Sequence, residues 1–230
     1  MAPSPDAATL LCAEWAGERC RMRPEGLKPA MILRSSKPSP FGRKVKIGAV
    51  LCGIHLDIEW ADTTDPTDSV RRQNPLGKIP VLLPEGGTPI FDSPVILEYL
   101  DGVAGGGVIL PAPGPARIQA LVGQALADGL MDAALLQVYE VRFRSEEQRT
   151  PAWIDNQAGK VARALKVLES APPAKAATSS GIDVAEIATA CALGYLDLRF
   201  EGGWRADHPA LVDWLDAFAA RVPAFEATRA

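Results

Sequence analysis

Three short stretches of this 230-residue chain carry residue types that could bind a charged ligand. The first is SPFGRKV, residues 39–45, in which Ser39 is a favourable N-cap and Pro40 suits the first helical position. Free N–H groups at a helix start attract anions. The run therefore predicts a hydroxyl at the electropositive end of a helix. The alternative is that Ser39 only caps that helix.

The second stretch is NPLGKIPV, residues 74–81, which places Pro80 inside an apolar run. Proline cannot donate to a strand ladder, so the pattern indicates an edge, a bulge or a cis peptide bond. If the Ile79–Pro80 bond is cis, the backbone N–H and C=O of Ile79 can turn toward a bound peptide. The alternative is an edge strand with a structural proline.

The third stretch is Asp92-Ser93-Pro94, which repeats the helix-start signal. The N–H groups of such a start bind carboxylates, and an adjacent aspartate can pair with an ammonium group. Asp92 and Ser93 could therefore hold the head group of an α-amino acid. The alternative is an ordinary N-cap.

The segments around these stretches alternate between strand and helix patterns over residues 31–104. Apolar runs and period-two alternation predict strands, whereas apolar residues at helical spacing predict helices. Together they give a βαβ unit followed by a ββα unit. The predicted strands span residues 31–33, 56–60, 79–83 and 88–91, and the predicted helices span residues 40–52 and 95–100.

Residues 102–115 are rich in glycine and proline, which indicates a linker, and the later patterns are helical. Asp183 followed by Glu186 is a capping-box signature at the start of an apolar helix. We therefore expect an α/β domain at residues 31–108 and an all-helical domain at residues 109–230. The predicted helices of the second domain span residues 116–144, 151–169, 187–198 and 209–221.

Composition and charge exclude several classes of function. The net charge is -4 and the isoelectric point is near 5.3, so the chain lacks the excess of basic residues that is typical of nucleic-acid-binding proteins. No apolar run approaches the roughly 20 residues that span a membrane. The cysteines and histidines are widely separated, so we expect no metal site, no disulfide framework and a reducing cytoplasm. Cys52 and Cys191 are expected to be packed rather than reactive.

The runs SPFGRKV, NPLGKIPVL and FDSPVILEYL, in this order and before an all-helical domain, resemble the cytosolic glutathione S-transferase family. The resemblance covers residues 31–230. It is closest to the bacterial YibF-like subgroup, through ALADGLMDAALL at residues 125–136 and DVAEIATACALGYLDLRF at residues 183–200. It implies an α/β thioredoxin-like N-terminal domain followed by an all-α C-terminal domain, with glutathione as co-substrate.

The same resemblance assigns parts of glutathione to the second and third stretches. It implies a cis Ile79–Pro80 bond and backbone pairing of Ile79 with the cysteinyl part. It also implies that Asp92 and Ser93 hold the γ-glutamyl end and that Lys78 meets the glycyl carboxylate.

Ser39 falls where related transferases place a serine or cysteine that faces the glutathione sulfur. A hydroxyl that donates to sulfur, at the positive end of a helix, favours the thiolate, which is the nucleophile. The implied mechanism needs no metal and no covalent enzyme intermediate. Ser35 and Ser36 are neighbouring hydroxyls that could take this role instead.

The resemblance implies a cytoplasmic, homodimeric transferase that conjugates glutathione to a small electrophile, as in detoxification. One alternative is a non-catalytic glutathione-binding or protein-interaction module, because this fold is reused without activity. Another is a glutathione-dependent reductase or peroxidase, although relatives with disulfide chemistry carry cysteine at the position of Ser39. The sequence does not identify the electrophile.

Side chains of the helical domain are expected to divide between core and surface. Charged residues of its first helix, Asp128 and Asp132 among them, are predicted to lie mostly on a solvated face. Aromatic residues are predicted to build the core or, for some of them, to line an electrophile pocket: Tyr139, Phe143, Trp153, Tyr195 and Trp204.

Residues 1–30 are predicted to be a poorly ordered extension, because the first periodic segment of the fold begins at Met31. Their short apolar run lacks the preceding basic region of a secretory signal, so we do not interpret it as one. Deleting them is expected to leave the melting temperature and the ligand affinity nearly unchanged. Thermal unfolding and binding calorimetry on the shortened and full chains check this. A large loss of either quantity would refute it.

Overall fold

A three-stranded mixed sheet forms the first part of the protein in the computed structural model, which describes residues 31–230. The predicted extension at residues 1–30 lies outside the described residues. The strands are β1 (Met31–Ser35), β2 (Leu56–Trp60) and β3 (Val81–Leu83), in the order β2-β1-β3. β1 runs parallel to β2 and antiparallel to β3. The crossover between β1 and β2 is helix α1 (Pro40–Leu51), as the βαβ pattern predicts.

The predicted second hairpin is much shorter in the structure. β3 begins at Val81 instead of residue 79, after Pro80, which has no backbone N–H. The predicted returning strand at residues 88–91 is reduced to one bridge, in which Leu82 and Ile90 exchange bonds of 2.9 and 2.8 Å. Pro89 precedes that bridge and also lacks a donor, so the ladder ends there.

The remaining regular elements of residues 31–230 are helices, and the predicted helices are present with small shifts at their ends. One short helix near the C-terminus was not predicted, because a single turn after Pro223 leaves too few residues for a periodic signal. The helices are α2 (Val70–Gln73), α3 (Ser93–Val103), α4 (Pro115–Phe143), α5 (Pro151–Ser170), α6 (Val184–Phe200), α7 (Pro209–Arg221) and α8 (Ala224–Ala227).

The backbone of the glycine-rich segment after α3 is hydrogen-bonded to one carboxylate. Asp101 is buried and accepts hydrogen bonds from the N–H groups of Gly107, Val108 and Ile109 at 3.0, 2.8 and 2.8 Å. Ile109 is itself buried, and its carbonyl accepts the N–H of Val184 at 3.0 Å. The segment thus fastens the sheet region to the start of α6.

Helix α6 is the central helix of the second part and is apolar around most of its circumference, as buried helices are. Its predicted capping box is present. Asp183 accepts the N–H of Ala185 at 2.9 Å and of Glu186 at 3.0 Å, while Glu186 accepts the N–H of Asp183 at 3.2 Å. The buried Glu186 carboxylate also pairs with Arg221 of α7 at 2.9 Å.

Helix α1 lies between the sheet and α6, and it buries the basic residues that its sequence places between apolar ones. The Lys44 side chain is 0% exposed, and its Nζ lies 2.6 Å and 2.8 Å from the two carboxylate oxygens of Asp128 on α4. The prediction of a solvated face is therefore wrong for Asp128, because the buried ammonium requires a counter-charge. Burial lowers the pKa of Lys44 and raises the pKa of Asp128.

Arg43, one residue earlier on α1, is also buried and joins this helix to the C-terminal end of the chain. Its guanidinium stacks on the Phe225 ring at 3.9 Å from the centroid and donates to the carbonyl oxygen of the same residue. Stacking of this kind suits the planar, weakly hydrated guanidinium. Burial lowers the pKa of Arg43. α1 is thus tied to α4 through Lys44 and to α8 through Arg43.

Helix α4 is long and apolar enough to cross a membrane by length and composition, a test that core helices of soluble proteins also pass. In this fold it packs along α5 and α6. Its polar face carries the Asp128 partner of Lys44.

Replacing Asp128 by asparagine leaves the Lys44 ammonium buried without a counter-charge. We expect the free energy of unfolding to fall by about 3 kcal/mol, because an uncompensated buried charge is strongly destabilising. Denaturant titration of the two proteins measures the change. Asp132→Asn, one helical turn further along α4, is the matched control and should shift stability by less than about 0.5 kcal/mol.

The double variant Lys44→Met, Asp128→Leu removes both charges and should recover most of the lost stability, since apolar replacement of a buried pair is often neutral. If Asp128→Asn lowers the free energy of unfolding no more than Asp132→Asn does, the Lys44–Asp128 pair makes no significant contribution to stability.

Candidate functional site

A cleft of about 1130 Å³ lies between the sheet region and the facing surfaces of α4 and α6. The structure brings all the sequence-predicted site residues together along the sheet side of this cleft. They are Ser39, Lys78, Ile79, Pro80, Asp92 and Ser93.

Ser39 is the N-cap of α1, and its Oγ accepts a hydrogen bond from the N–H of Gly42 at 3.1 Å. This bond uses a lone pair, so the hydroxyl hydrogen stays available as a donor. The residue is half-buried and lines the cleft. Capping and donation into the cleft are therefore compatible, and the two interpretations of Ser39 do not exclude each other.

The two neighbouring hydroxyls differ in position. Ser35 is 0% exposed, donates to the carbonyl oxygen of Ser36 at 3.4 Å and lies outside the cleft lining. Gly42 packs directly against it, since a Cβ at position 42 would lie 2.1 Å from the Ser35 Oγ. Ser36 lines the cleft together with Ser39. Of the two alternatives to Ser39, only Ser36 faces the same space.

The Ile79–Pro80 peptide bond is cis, as the resemblance implies. The preceding turn is shaped by Asn74, a buried residue whose role sequence reasoning missed. Its Nδ2 donates to the carbonyl oxygen of Lys78 at 2.9 Å, and its Oδ1 accepts the N–H of Leu76 at 3.0 Å. Asparagine commonly builds such turns, so the NPLG run did contain the signal.

Ile79 lines the cleft just before β3, and its side chain packs against buried residues of the sheet region. Across residues 31–230, neither its N–H nor its C=O bonds to another backbone group. Backbone groups of this kind normally find a partner. The position can therefore pair with an extended peptide lying in the cleft.

Asp92 and Ser93 lie at the start of α3, with Asp92 as the N-cap. The Asp92 side chain makes no capping bond and is exposed in the cleft. Ser93 is 1% exposed, and its hydroxyl makes no hydrogen bond to the described part of the protein. The Phe91–Asp92 peptide bond is also cis. A carboxylate, a hydroxyl and the first N–H groups of a helix thus converge here.

The loop between β2 and α2, together with α2, adds further polar groups to the cleft, and a buried arginine of β1 holds both in place. Arg34 donates to Asp68 at 2.8 Å and to Ser69 in the loop, and to Gln73 of α2 at 3.1 Å. The loop contributes Thr63 and Thr64 to the lining, and α2 contributes Arg71.

The opposite wall comes from α4 and α6, and its members were largely missed from sequence. Asp132 faces the sheet side closely enough for Lys78 and Asp92 to influence it, and burial raises its pKa. The other lining residues of this wall are mostly aromatic, apolar or cationic: Asp128, Leu135, Leu136, Val138, Tyr139, Arg142, Phe143, Tyr195 and Arg199.

The aromatic residues of the helical part divide between core and cleft. Tyr195 and Trp204 are buried, as expected of core residues, and Tyr195 also borders the cleft. Tyr139 and Phe143 are 37% and 58% exposed and meet edge to face, with ring centroids 5.1 Å apart. Both line the cleft, whereas Trp153 is exposed elsewhere. Hydrophobic periodicity in the sequence does not distinguish aromatic residues of the core from those that line the cleft.

The two cysteines of the described region are packed, as predicted. Cys52 and Cys191 are both buried. Burial raises the pKa of the Cys191 thiol to about 11, so its reactive thiolate form is disfavoured.

Comparison with known families matches both halves of the chain. Residues 38–103 match the family model "Glutathione S-transferase, N-terminal domain". Residues 151–217 match "Glutathione S-transferase, C-terminal domain". The chain is also 35% identical over 192 residues to "Uncharacterized GST-like protein YibF" of Escherichia coli K12, covering 83% of this chain and 95% of that protein.

Solved structures agree with these matches. A glutathione S-transferase of Methylobacillus flagellatus KT, solved with bound GSH, is 35% identical to this chain and superposes with a TM-score of 0.78. The match covers 86% of this chain and 98% of the Methylobacillus chain. A glutathione transferase family member of Pseudomonas fluorescens Pf-5 with bound glutathione has a TM-score of 0.76 and 38% identity, with the same coverage. The Pf-5 protein was also solved with S-(propanoic acid)-glutathione. The chain belongs to the glutathione S-transferase family.

Proposed function

We propose that this protein is a glutathione S-transferase in activity as well as in family, joining the glutathione thiolate to a small electrophile. The observation that carries the proposal is the convergence of three complementary groups in one cleft. These are the carboxylate and helix start at Asp92 and Ser93, the open backbone of Ile79, and the hydroxyl of Ser39. Similar proteins from two bacteria hold glutathione in their solved structures.

Glutathione would lie along the sheet side of the cleft. The Asp92 carboxylate would pair with its α-ammonium group, while Ser93 and the α3 N-terminus would receive the adjacent carboxylate. Ile79 would hold the cysteinyl part through its backbone, in the manner of an added strand. Lys78, exposed at the other end, would meet the glycyl carboxylate.

This placement would bring the sulfur to Ser39. A free thiol has a pKa near 8.5 and is mostly protonated at neutral pH, whereas the thiolate is the nucleophile. Lowering that pKa by about two units requires about 2.7 kcal/mol of preferential stabilisation of the anion. A charge-assisted hydrogen bond contributes roughly 1.5–3 kcal/mol and a helix N-terminus roughly 0.3–1 kcal/mol. Ser39 at the start of α1 would supply both, without a metal.

Several further features belong to the same proposal. We place the protein in the cytoplasm as a homodimer, with a glutathione-binding domain at residues 31–108 and a helical domain at residues 109–230. The reductase alternative lacks a cysteine at the position of Ser39, and Cys191 is buried with a raised pKa. The non-catalytic alternative shares the glutathione site and differs only in turnover.

Replacing Ser39 by alanine removes the donor at the sulfur. The thiol of bound glutathione is expected to titrate about one to two pH units higher, and turnover at neutral pH should fall about 10- to 100-fold. Thiolate absorbance and steady-state kinetics measure the two effects. Loss of the cap bond should also lower stability by about 1 kcal/mol, which leaves the protein folded.

Ser39→Thr keeps a hydroxyl and should retain most of the activity, whereas Ser36→Ala tests the neighbouring hydroxyl in the same cleft. An unchanged titration and unchanged turnover in Ser39→Ala would leave that residue as a cap only. If Ser36→Ala instead raises the thiol titration and lowers turnover, the hydroxyl that faces the sulfur belongs to Ser36.

Replacing Asp92 by asparagine should weaken glutathione binding about tenfold, because a hydrogen-bonded charge pair at the α-ammonium group is lost. Calorimetry with glutathione and with an analogue lacking that amine measures the effect. The variant and the unaltered protein should bind the analogue equally. An equal loss of affinity for glutathione and for the analogue would contradict the pairing of Asp92 with the α-ammonium group.

A further inference from the structure

Two guanidinium groups on the helical wall of the cleft have no carboxylate partner in the described part of the protein. They belong to Arg142 near the end of α4 and Arg199 near the end of α6. Several other arginines of the helical region are paired with nearby acids, as Arg144 is with Glu140 and Arg205 is with Asp197. Arg142 and Arg199 therefore retain their capacity to bind an anion in the cleft.

Each of these guanidinium groups is placed against an aromatic ring of the same wall. Arg142 lies 5.2 Å from the centroid of the Phe143 ring, and Arg199 lies 5.8 Å from that of Tyr195. Contact of a cation with an aromatic ring orients a flexible side chain without consuming its charge. The wall thus combines an apolar aromatic surface with two cationic groups at its edge.

This wall is close to the Ser39 end of the cleft. Tyr195 and Ser39 border both the main cleft and a smaller adjoining cavity of about 500 Å³. Arg199 follows Tyr195 by one helical turn on α6. The two carboxylates of glutathione are assigned to Ser93 and Lys78 on the sheet side, which leaves the guanidinium groups for the second substrate.

We propose that the electrophile carries a carboxylate, bound by Arg142 and Arg199, on an aromatic or unsaturated body that rests against Tyr139, Phe143 and Tyr195. The proposal rests on the transferase function proposed above and specifies its substrate class. Guanidinium and carboxylate groups match in planar geometry and form paired hydrogen bonds. Apolar pockets with a few placed polar groups are typical of small-molecule sites.

The reaction on a suitable probe is a substitution. In a chlorodinitrobenzoate, the thiolate sulfur bonds to the ring carbon that carries chlorine. The carbon–chlorine bond then breaks, and chloride leaves with the electron pair. The thiol proton has already passed to solvent, so atoms and charges balance.

The test compares a chlorodinitrobenzoate with the corresponding chlorodinitrobenzamide, which has the same reacting carbon and no charge. Each kcat/KM is divided by the uncatalysed rate constant with glutathione. The unaltered protein should favour the carboxylate. Arg142→Gln and Arg199→Gln should each lower this preference about fivefold, the upper range for an exposed ion pair, with little effect on the amide.

Arg163→Gln is the matched control, because Arg163 is exposed on α5 and lies outside the cleft lining. It makes the same change in charge and should leave the preference unaltered. Added salt should reduce the preference of the unaltered protein, since exposed charges are screened.

Turnover of both probes with no preference, or a preference unchanged in both arginine variants, overturns the inference and leaves the transferase function standing. A rise in KM for glutathione in the arginine variants, with the preference intact, also overturns it, because the guanidinium groups would then serve the first substrate. If neither probe is turned over, both the transferase activity and the carboxylate-bearing electrophile are contradicted.

Discussion

The buried ammonium group of Lys44 is the constraint on which the arrangement of the cleft depends. A charge with no exposed surface must be matched by an acid, and Asp128 of α4 supplies it at 2.6 Å. α1 carries Ser39 at its start, and α4 carries Tyr139 and Arg142 on its second half. This ion pair therefore ties the helix that begins after Ser39 to the helix that carries part of the opposite wall. Arg43 gives α1 a second attachment, on Phe225.

The polar groups on the sheet side of the cleft come from the ends of regular elements rather than from their middles. Ser39 and Asp92 are N-caps, and Ile79 precedes β3 across a cis bond to Pro80. Backbone donors and acceptors are left open at such positions, because no intrahelical or ladder partner exists for them. Buried side chains such as Arg34 and Asn74 brace the loops that carry these positions. The sheet side of the cleft thus offers open main-chain groups beside its polar side chains.

Much of this arrangement was predictable from local chemistry. N-cap serine and aspartate, proline at the first helical turn and the Asp183–Glu186 box are short-range signals, and each is present where the sequence indicates it. The order of the motifs then pointed to the family and to the sheet side of the cleft. Prediction of β strands was weaker near Pro80 and Pro89, where missing donors shorten the ladder.

The helical wall was not predictable in the same way. Whether an aspartate or tyrosine of α4 meets solvent, a ligand or a buried lysine depends on which helix packs against it, and sequence spacing does not encode that choice. Asp128 was expected in water and instead neutralises Lys44. The aromatic residues were expected in the core or, for some of them, at a pocket, and only the structure assigns Tyr139 and Phe143 to the cleft. Such assignments depend on tertiary contacts between elements far apart in the chain.

The carboxylate of Asp101 has a mechanical consequence. By accepting consecutive N–H groups of the glycine-rich segment, it fixes the backbone that connects the sheet and helical regions. We therefore expect little bending at this connection. Differences in ligand size would then be met by rotamer changes in the long side chains at the rim of the cleft.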